Sequence, residues 1–403
     1  MHIDVNNAFL SWMAVWRLKN GYKVDIRERY AVIGGDEDAR RGIVTAKSDP
    51  CKKRGVVTAE TLYSARKKCP YLEVYKGDFK VFKMYSDMMY NYLLKYSDVI
   101  ERYSIDECFL DYTASVNLFG DPIKIAYKIK NDIKALFGFT VNVGIGNNKL
   151  EAKMASDFTK PDRVHTLFDN EIKKKMWPLP VEDLFMVGKS AASRLRDDGI
   201  KTIGELACTN IEILKRKFKS HGVLMWEFAN GIDDSKVEAK RDDPKSVSSS
   251  TVLPYNYSNK KEIEKVLKIL SSDVGKKLRT KHLYANSISV WIKYSNFKKV
   301  SKQITIDNGI NNDKDIYKYA CLLLEKLWDG ENYIRSLCVG VANISCNHDK
   351  QLSLFDNNTS NKQMDLKEDK LQSAIDCIRN KYGDEMIGYA DVINKRENEH
   401  HGK

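Results

Sequence analysis

Three acids in this chain stand where acids are costly. Asp106 and Glu107 are adjacent in YSIDECFLDYT, Tyr103 to Thr113, a run whose Ile105, Phe109 and Leu110 favour burial. Burying a charge is unfavourable unless it is paired or holds a metal. Asp4 closes an early short stretch, HID, and is followed by VNNAF. If the two stretches are neighbouring strands of one sheet, three carboxylates converge on its edge. Hard oxygen donors clustered this way suit Mg²⁺, which keeps several waters and binds through a few carboxylates plus substrate phosphates. Two such ions can stabilise the attacking and leaving oxygens of an in-line displacement at phosphorus. Solvated turn residues would explain a lone Asp-Glu pair. They explain less well a pair framed by apolar strands and matched by an early Asp.

Those acids need elements to position them. Only three residues precede Asp4, so the opening strand is expected to be short. NAFLSWMAVWRLKNG then reads as a helix closed by Gly21, and residues 22–78 as a mixed, basic segment. DFKVFKMYSDMMYNYLLKYS is a long helix. VIERYS and CFLDYT follow as two strands with Asp106 at their junction. In GDPIKIAYKIKNDIKALFG, Asp121 can cap a helix, Pro122 suits its first turn and Gly138 ends it. Ile125, Ile129, Ile133 and Leu136 are expected on its buried face. FTVNVGIG alternates strictly, with Phe139, Val141, Val143 and Ile145 facing one way, and NNKLEAKMASDFTKPD is a further helix. This order predicts a mixed α/β sheet completed by the opening strand.

Residues 166–235 read as helical. Within them VEDLFMVGKSAASRLRDDGIKTIGELA has the form helix, tight glycine turn, helix. EAKRDDPKSVSSS, 238–250, is charged and serine-rich with one proline, a linker signature. A second α/β unit follows, with alternation in SISVWIKYS, KQITID and RSLCVGVANIS and helices near 260–281 and 313–328. It reads as β-α-β-β-α-β. QLSLFDNNTSNKQ is loop-like. In the final helix, 366–382, Leu371, Ala374, Ile375 and Ile378 share one face.

The 403 residues carry 67 Lys and Arg against 55 Asp and Glu, a formal charge of +12, which favours an anionic partner such as nucleic acid. No apolar run approaches the roughly 18 residues that cross a bilayer. The eight cysteines are scattered with no C-x-x-C pair, which argues against a zinc site or a disulfide framework.

Against this background, HIDVNNAF at 2–9, YSIDECFLD at 103–111 and NKLEAKMASDFTKPD at 148–162 resemble the three signature segments of the Y-family, DinB/UmuC-type translesion DNA polymerases. MVGKSAASRLRDDGIKTIGELA resembles that family's thumb. The resemblance covers about residues 1–355 and favours the DNA polymerase IV branch. It implies a right-hand α/β (α+β) fold: palm 1–15 and 79–165, fingers 16–78, helical thumb 166–235 with a helix-hairpin-helix, linker 236–246, β-α-β-β-α-β little finger 247–347, and a tail 348–403.

The resemblance also implies roles. Asp4 and Asp106 match the metal-binding acids, with the Val5 carbonyl as a further ligand, and Glu107 matches the catalytic acid beside them. Two Mg²⁺ ions are implied. Phe9 matches the steric gate against a ribose 2′-OH; alone it would read as a core aromatic. Lys160 matches a triphosphate contact; alone it would read as an exposed lysine. Many relatives carry a Tyr-x-x-Arg phosphate clamp, where this chain has Asp49-Pro50-Cys51-Lys52. Lys52 then replaces the arginine without its bidentate fork, and Thr45 or Lys47 shares the task. Gly188 and Lys189 match a hairpin whose backbone N–H groups approach a DNA phosphate.

QLSLF, with Gln351, Leu352, Leu354 and Phe355, resembles the pentapeptide that docks on a sliding clamp. The implied partners are primer-template DNA, dNTPs and that clamp, for a cytoplasmic monomer without membrane association. The implied activity is low-fidelity, template-directed DNA synthesis across damage. Two other classes compete with this reading. AVIGGDED at 31–38 resembles the GGDE turn of nucleotide cyclases but is read as a fingers-domain turn. An inactive, DNA-binding relative is disfavoured by the intact Asp4, Asp106 and Glu107.

Overall fold

The computed structural model describes residues 1–240, 243–346, 359–383 and 386–389. The chain forms two compact units, Met1–Glu37 with Gly42–Arg241, and Asp38–Arg41 with Asp242–Lys403.

At the centre of the first unit is a five-stranded sheet in the order Ile100–Arg102, Glu107–Leu110, His2–Val5, Val141–Ile145, Val164–Thr166. The four-residue opening strand is therefore its middle strand, antiparallel to both neighbours. The 139–145 alternation buries Phe139, Val141, Val143 and Ile145 against Trp12, Tyr85, Met89 and Ile129. The opposite face is covered too, which alternation alone does not reveal. There the helix Lys149–Asp157 lies so close that a Cβ on Gly144 would meet the Ala152 carbonyl oxygen at 1.9 Å. The seam is polar: Asn142 donates to the carbonyls of Ser156 at 3.0 Å and Thr159 at 2.7 Å, and the His2 ring meets Ser156 Oγ at 2.9 Å.

The helix Pro122–Phe137 has the expected ends, with Asp121 accepting from the Ile123 N–H and Gly138 in the left-handed region at φ 82°. Its buried stripe is Ala126, Ile129, Lys130 and Ile133. Leu136, expected inside, is 57% exposed because the stripe is rotated by about one position from the expected face. The segment 22–78 holds a sheet of three four-residue strands, Val44–Lys47, Ala31–Gly34 and Glu73–Lys76, over a small core including Val32, Val44 and Leu62. The first half of AVIGGDED, expected as a turn, is the buried central strand of that sheet.

Helices Lys189–Asp197, Ile203–Cys208, Ile211–Phe218 and Ser220–Ala229 share a core with Leu150 and Met154 of the helix that backs the main sheet. Ahead of the 188 turn stands only a 3₁₀ turn, Val181–Asp183, rather than a full helix. The left-handed residue there is Met186, at φ 68°, while Gly188 has φ −79°.

The second unit is a four-stranded antiparallel sheet, ordered Lys299–Ile310, Tyr284–Tyr294, Ile334–Ser345, Ser246–Tyr257. Helices Lys260–Thr280 and Asp313–Leu327 pack on it through Leu267, Val274, Leu323 and Leu324 against Ile288, Val290 and Val339. The serine-rich run is linker only up to Lys245. From Ser246 it pairs as an edge strand, Val247 opposite Val341 and Ser249 opposite Val339.

The final helix runs Thr359–Tyr382. It docks by a polar face. Asp376 receives Arg279 Nε at 2.6 Å, Gln372 donates to Asp313 at 3.2 Å, and Arg379 donates to Ser272 Oγ at 2.8 Å. Leu371 is 63% exposed. The surface beneath presents the buried carboxylate of Asp313, already bound by Arg279 at 2.9 Å, so complementary polar groups win over apolar ones. Residues 351–355 lie outside the described residues. No helix among the described residues is long and apolar enough to cross a membrane.

Candidate active site

Strand pairing brings the acids together. Asp4 stands opposite Glu107 in the antiparallel register, and the Val5 N–H donates to the Asp106 carbonyl at 3.1 Å. Asp106 occupies the turn between two strands and accepts from Ser104 Oγ at 2.6 Å. All three acids and Val5 line one cavity of about 550 Å³. Phe9, Thr45, Lys52 and Lys160 line the same cavity, as do Arg27, Lys47 and Thr58. Arg27 carries no local motif and is legible only once the fold is known. Gly34, Gly35 and Asp36 of the GGDE-like turn are not part of this wall.

Each side chain has a local reason to be there. Asn7 takes the left-handed conformation that ends the first strand and starts the helix Ala8–Lys19, at φ 51°, and donates to the Lys47 carbonyl at 2.6 Å. That turn delivers Phe9 one residue into the helix. Its ring lies 4.6 Å from Phe82 and 6.3 Å from Trp12, half-buried, with the cavity on its free side. Thr45 donates to the Ile33 carbonyl at 3.0 Å, and Lys47 to Thr58 at 3.1 Å. Lys52 is on a short helix, Asp49–Lys53, whose start Ser48 caps.

The electrostatics are those of acids held by lysines. Lys160 donates to Asp4, and also lies 2.8 Å from Asp157. Lys153, nearly buried, lies 3.1 Å from Glu107 and 3.3 Å from Asp157. Burial raises the Asp4 carboxyl to about 6, with Lys160 pulling against it. Burial also pushes Glu107 up, but the adjacent His2 ring and Lys153 outweigh it and hold Glu107 at about 2. Lys160 and Lys153 resist burial and are raised by their acids. His2 is lowered to about 4 by burial, and its Nε2 sits 3.7 Å from Glu107, too long for a hydrogen bond.

Lys153, Asp157 and His2 were missed from the sequence. The i, i+4 spacing of Lys153 and Asp157, with Lys160 three further on, was the available signal.

The donor set fits hard divalent cations: three carboxylates and a backbone carbonyl, no sulfur, and ammonium groups already resting where positive charge is needed. Among the described residues no three His, Cys, Asp or Glu side chains close on one point. A cation there would compete with Ser104 for Asp106 and with Lys160 and Lys153 for Asp4 and Glu107.

Gly188 and Lys189 lie elsewhere, at the start of the helix Lys189–Asp197, beside a second concavity lined by Ser190, Arg194, Lys217, Lys219 and His221. A Cβ on Gly188 would meet nothing within 4 Å, so the backbone there is open to a ligand.

The sequence matches the impB/mucB/samB family over residues 3–157 and that family's C-terminal domain over residues 244–354. It is 46% identical to a DNA polymerase IV of Clostridium acetobutylicum over 98% of both chains. This is a Y-family chain of the DNA polymerase IV type. It is also 34% identical to DNA polymerase IV 2 of Bacillus subtilis, over 90% of this chain and 88% of that one. Among solved structures, the Y-family fold is matched by a chimera of Dbh and Dpo4 at TM-score 0.74, with 24% identity, covering 86% of this chain and 99% of that chain. An insertion ternary complex of Dbh DNA polymerase matches at TM-score 0.59, with 24% identity, covering 86% of this chain and 99% of that one. The α/β architecture expected from the sequence is thus that of Y-family polymerases.

Proposed function

We propose that this protein is a template-directed DNA polymerase that adds dNTPs to a primer 3′-OH with low fidelity and copies damaged templates. The observation that carries the reading is the cavity lined together by Asp4, Val5, Phe9, Asp106, Glu107 and Lys160, the residues singled out by the resemblance to the Y-family segments.

Asp4, Asp106 and the Val5 carbonyl would hold two Mg²⁺ ions, with Glu107 as the catalytic acid beside them. Divalent cations held there would supply Lewis-acid stabilisation of the attacking hydroxyl and of the triphosphate's charge. Lys160 meets the triphosphate from one wall as a point charge, and Lys52 with Thr45 from the other. Phe9 presses on the sugar edge, where a ring braced by Phe82 and Trp12 cannot yield to a 2′-OH. In this reading 1–15 and 79–165 are the palm, 16–78 the fingers, and 166–235 the thumb. Gly188 and Lys189 hold a template or primer phosphate without reading sequence. Residues 247–347 are the little finger along the duplex. QLSLF tethers a cytoplasmic monomer to a sliding clamp.

Primer extension with four dNTPs and Mg²⁺, on undamaged and lesion-bearing templates, tests the reading. Extension past a lesion is expected; GTP condensation without a template would instead favour the cyclase class.

A further inference from the structure

We infer that Asp157 is a positioning residue. It retains Lys160 and Lys153 when cations and nucleotide draw Asp4 and Glu107 away from them. The inference rests on the polymerase reading given above.

Asp157 is the last residue of the helix Lys149–Asp157. A negative charge there faces the carbonyl end of the helix dipole, which disfavours it. Two lysines offset that cost: Lys153 one turn back at 3.3 Å, and Lys160 three residues on at 2.8 Å. The result is an alternating chain of charge, Asp4–Lys160–Asp157–Lys153–Glu107. Its two outer acids line the cavity, and they are the ones a divalent cation would take. Its middle acid is not part of that wall.

A lysine and a dication compete for the same carboxylate oxygens. When the cations win, Lys153 needs another anion, because its side chain is only 10% exposed and an unpaired buried ammonium is costly. Asp157 is the anion that stays. It also keeps the more exposed Lys160 at the mouth of the cavity, where a triphosphate arrives, instead of leaving it on Asp4 as its one remaining partner. The arrangement lets one residue ease cation entry and aim a phosphate contact at once.

The nearly isosteric Asp157→Asn removes the charge. In the full chain without DNA or nucleotide, Mg²⁺ titration followed by melting temperature should show the half-saturating concentration raised roughly twofold to fivefold, the range of a part-exposed ion pair. Adding Lys160→Met to that variant should remove the competitor and bring the midpoint back down. In primer extension the dNTP KM should rise by a similar factor, with kcat changing less, and Asp157→Glu should restore it. In a Lys160→Met background, Asp157→Asn should change KM by less than about twofold, because coupled residues are not additive.

Parental Mg²⁺ and KM values in Asp157→Asn would overturn the inference. So would the same KM factor with and without Lys160, or a fall in kcat at unchanged KM. If the parent chain extends no primer, the polymerase reading fails and the Mg²⁺ midpoints alone decide the role of Asp157.

Discussion

Asp4 and Glu107 face each other across the antiparallel pair His2–Val5 and Glu107–Leu110, and each is held by a different lysine, Lys160 on Asp4 and Lys153 on Glu107. The apposition comes from strand register. A one-residue slip would turn one of the two acids to the opposite face of the sheet. The site is thus built from backbone pairing first and occupied by charge second.

Phe9→Ala should admit ribonucleotides. Removing the ring opens space on the cavity side while Phe82 and Trp12 stay in place. Discrimination against rNTPs should fall by roughly tenfold to two-hundredfold, the span of pocket contacts of this size. dNTP incorporation should fall less. Competition between dNTP and rNTP on one primer measures it, and unchanged discrimination would make Phe9 a core residue only.

Gly144→Ala should disrupt the first unit. The added methyl would stand 1.9 Å from the Ala152 carbonyl and 2.5 Å from the Ser156 nitrogen, both backbone atoms. A loss of at least about 3 kcal/mol is expected, at the top of the overpacking range. Because the displaced helix carries Lys153 and Asp157, extension should fall with stability. Chemical denaturation checks the first, and a melting curve like the parent's would mean the helix can retreat without cost.

Much of this was legible in the sequence, and the gaps have physical causes. Asp121, Pro122 and Gly138 bound their helix as read, because caps act locally. The approach of Asp4 to Glu107 was legible because two apolar strands each carried an acid. The sheet of 22–78 was not, since strands of four residues leave too little alternation to separate from loop. The pairing of 246–250, part of the run read as linker, was not either, because a serine-rich edge strand owes its form to its neighbour rather than to its own composition. The docking face of the final helix was not legible for a related reason. Its apolar stripe is real, but the surface it meets carries Asp313 and Arg279.

Glu151 should make stability depend on pH. It is fully buried, its Oε2 accepts from the Asn147 N–H at 2.6 Å, and burial raises its carboxyl to about 7. A group raised above its usual 4.5 contributes stability that is complete below that value and is lost as pH climbs towards about 7. Glu151→Gln lacks this titration. The melting temperature of the parent should therefore fall relative to that of Glu151→Gln between these two pH values. A constant difference would mean that Glu151 remains ionised throughout.

Replacing Leu354 and Phe355 with Ala should leave clamp-free extension of a short primer unchanged and remove stimulation by a loaded clamp. Each side chain contributes roughly 1.5–3 kcal/mol when fully buried, partly offset by ordering the segment. Tethering makes that modest affinity useful by raising effective concentration at the primer end. Full stimulation of the double variant would place the docking site elsewhere.

The central claim is that Asp106, beside Asp4 and Glu107, serves a cation-dependent phosphoryl transfer to a primer end. Single-nucleotide primer extension by the parent chain and by Asp106→Ala, at saturating Mg²⁺ and with melting temperatures measured on both, tests it most directly. The account predicts template-directed extension by the parent and a loss on the order of a thousandfold in the variant, with melting nearly unchanged because Asp106 is half-buried in a turn. Near-parental extension by an equally stable Asp106→Ala would contradict it.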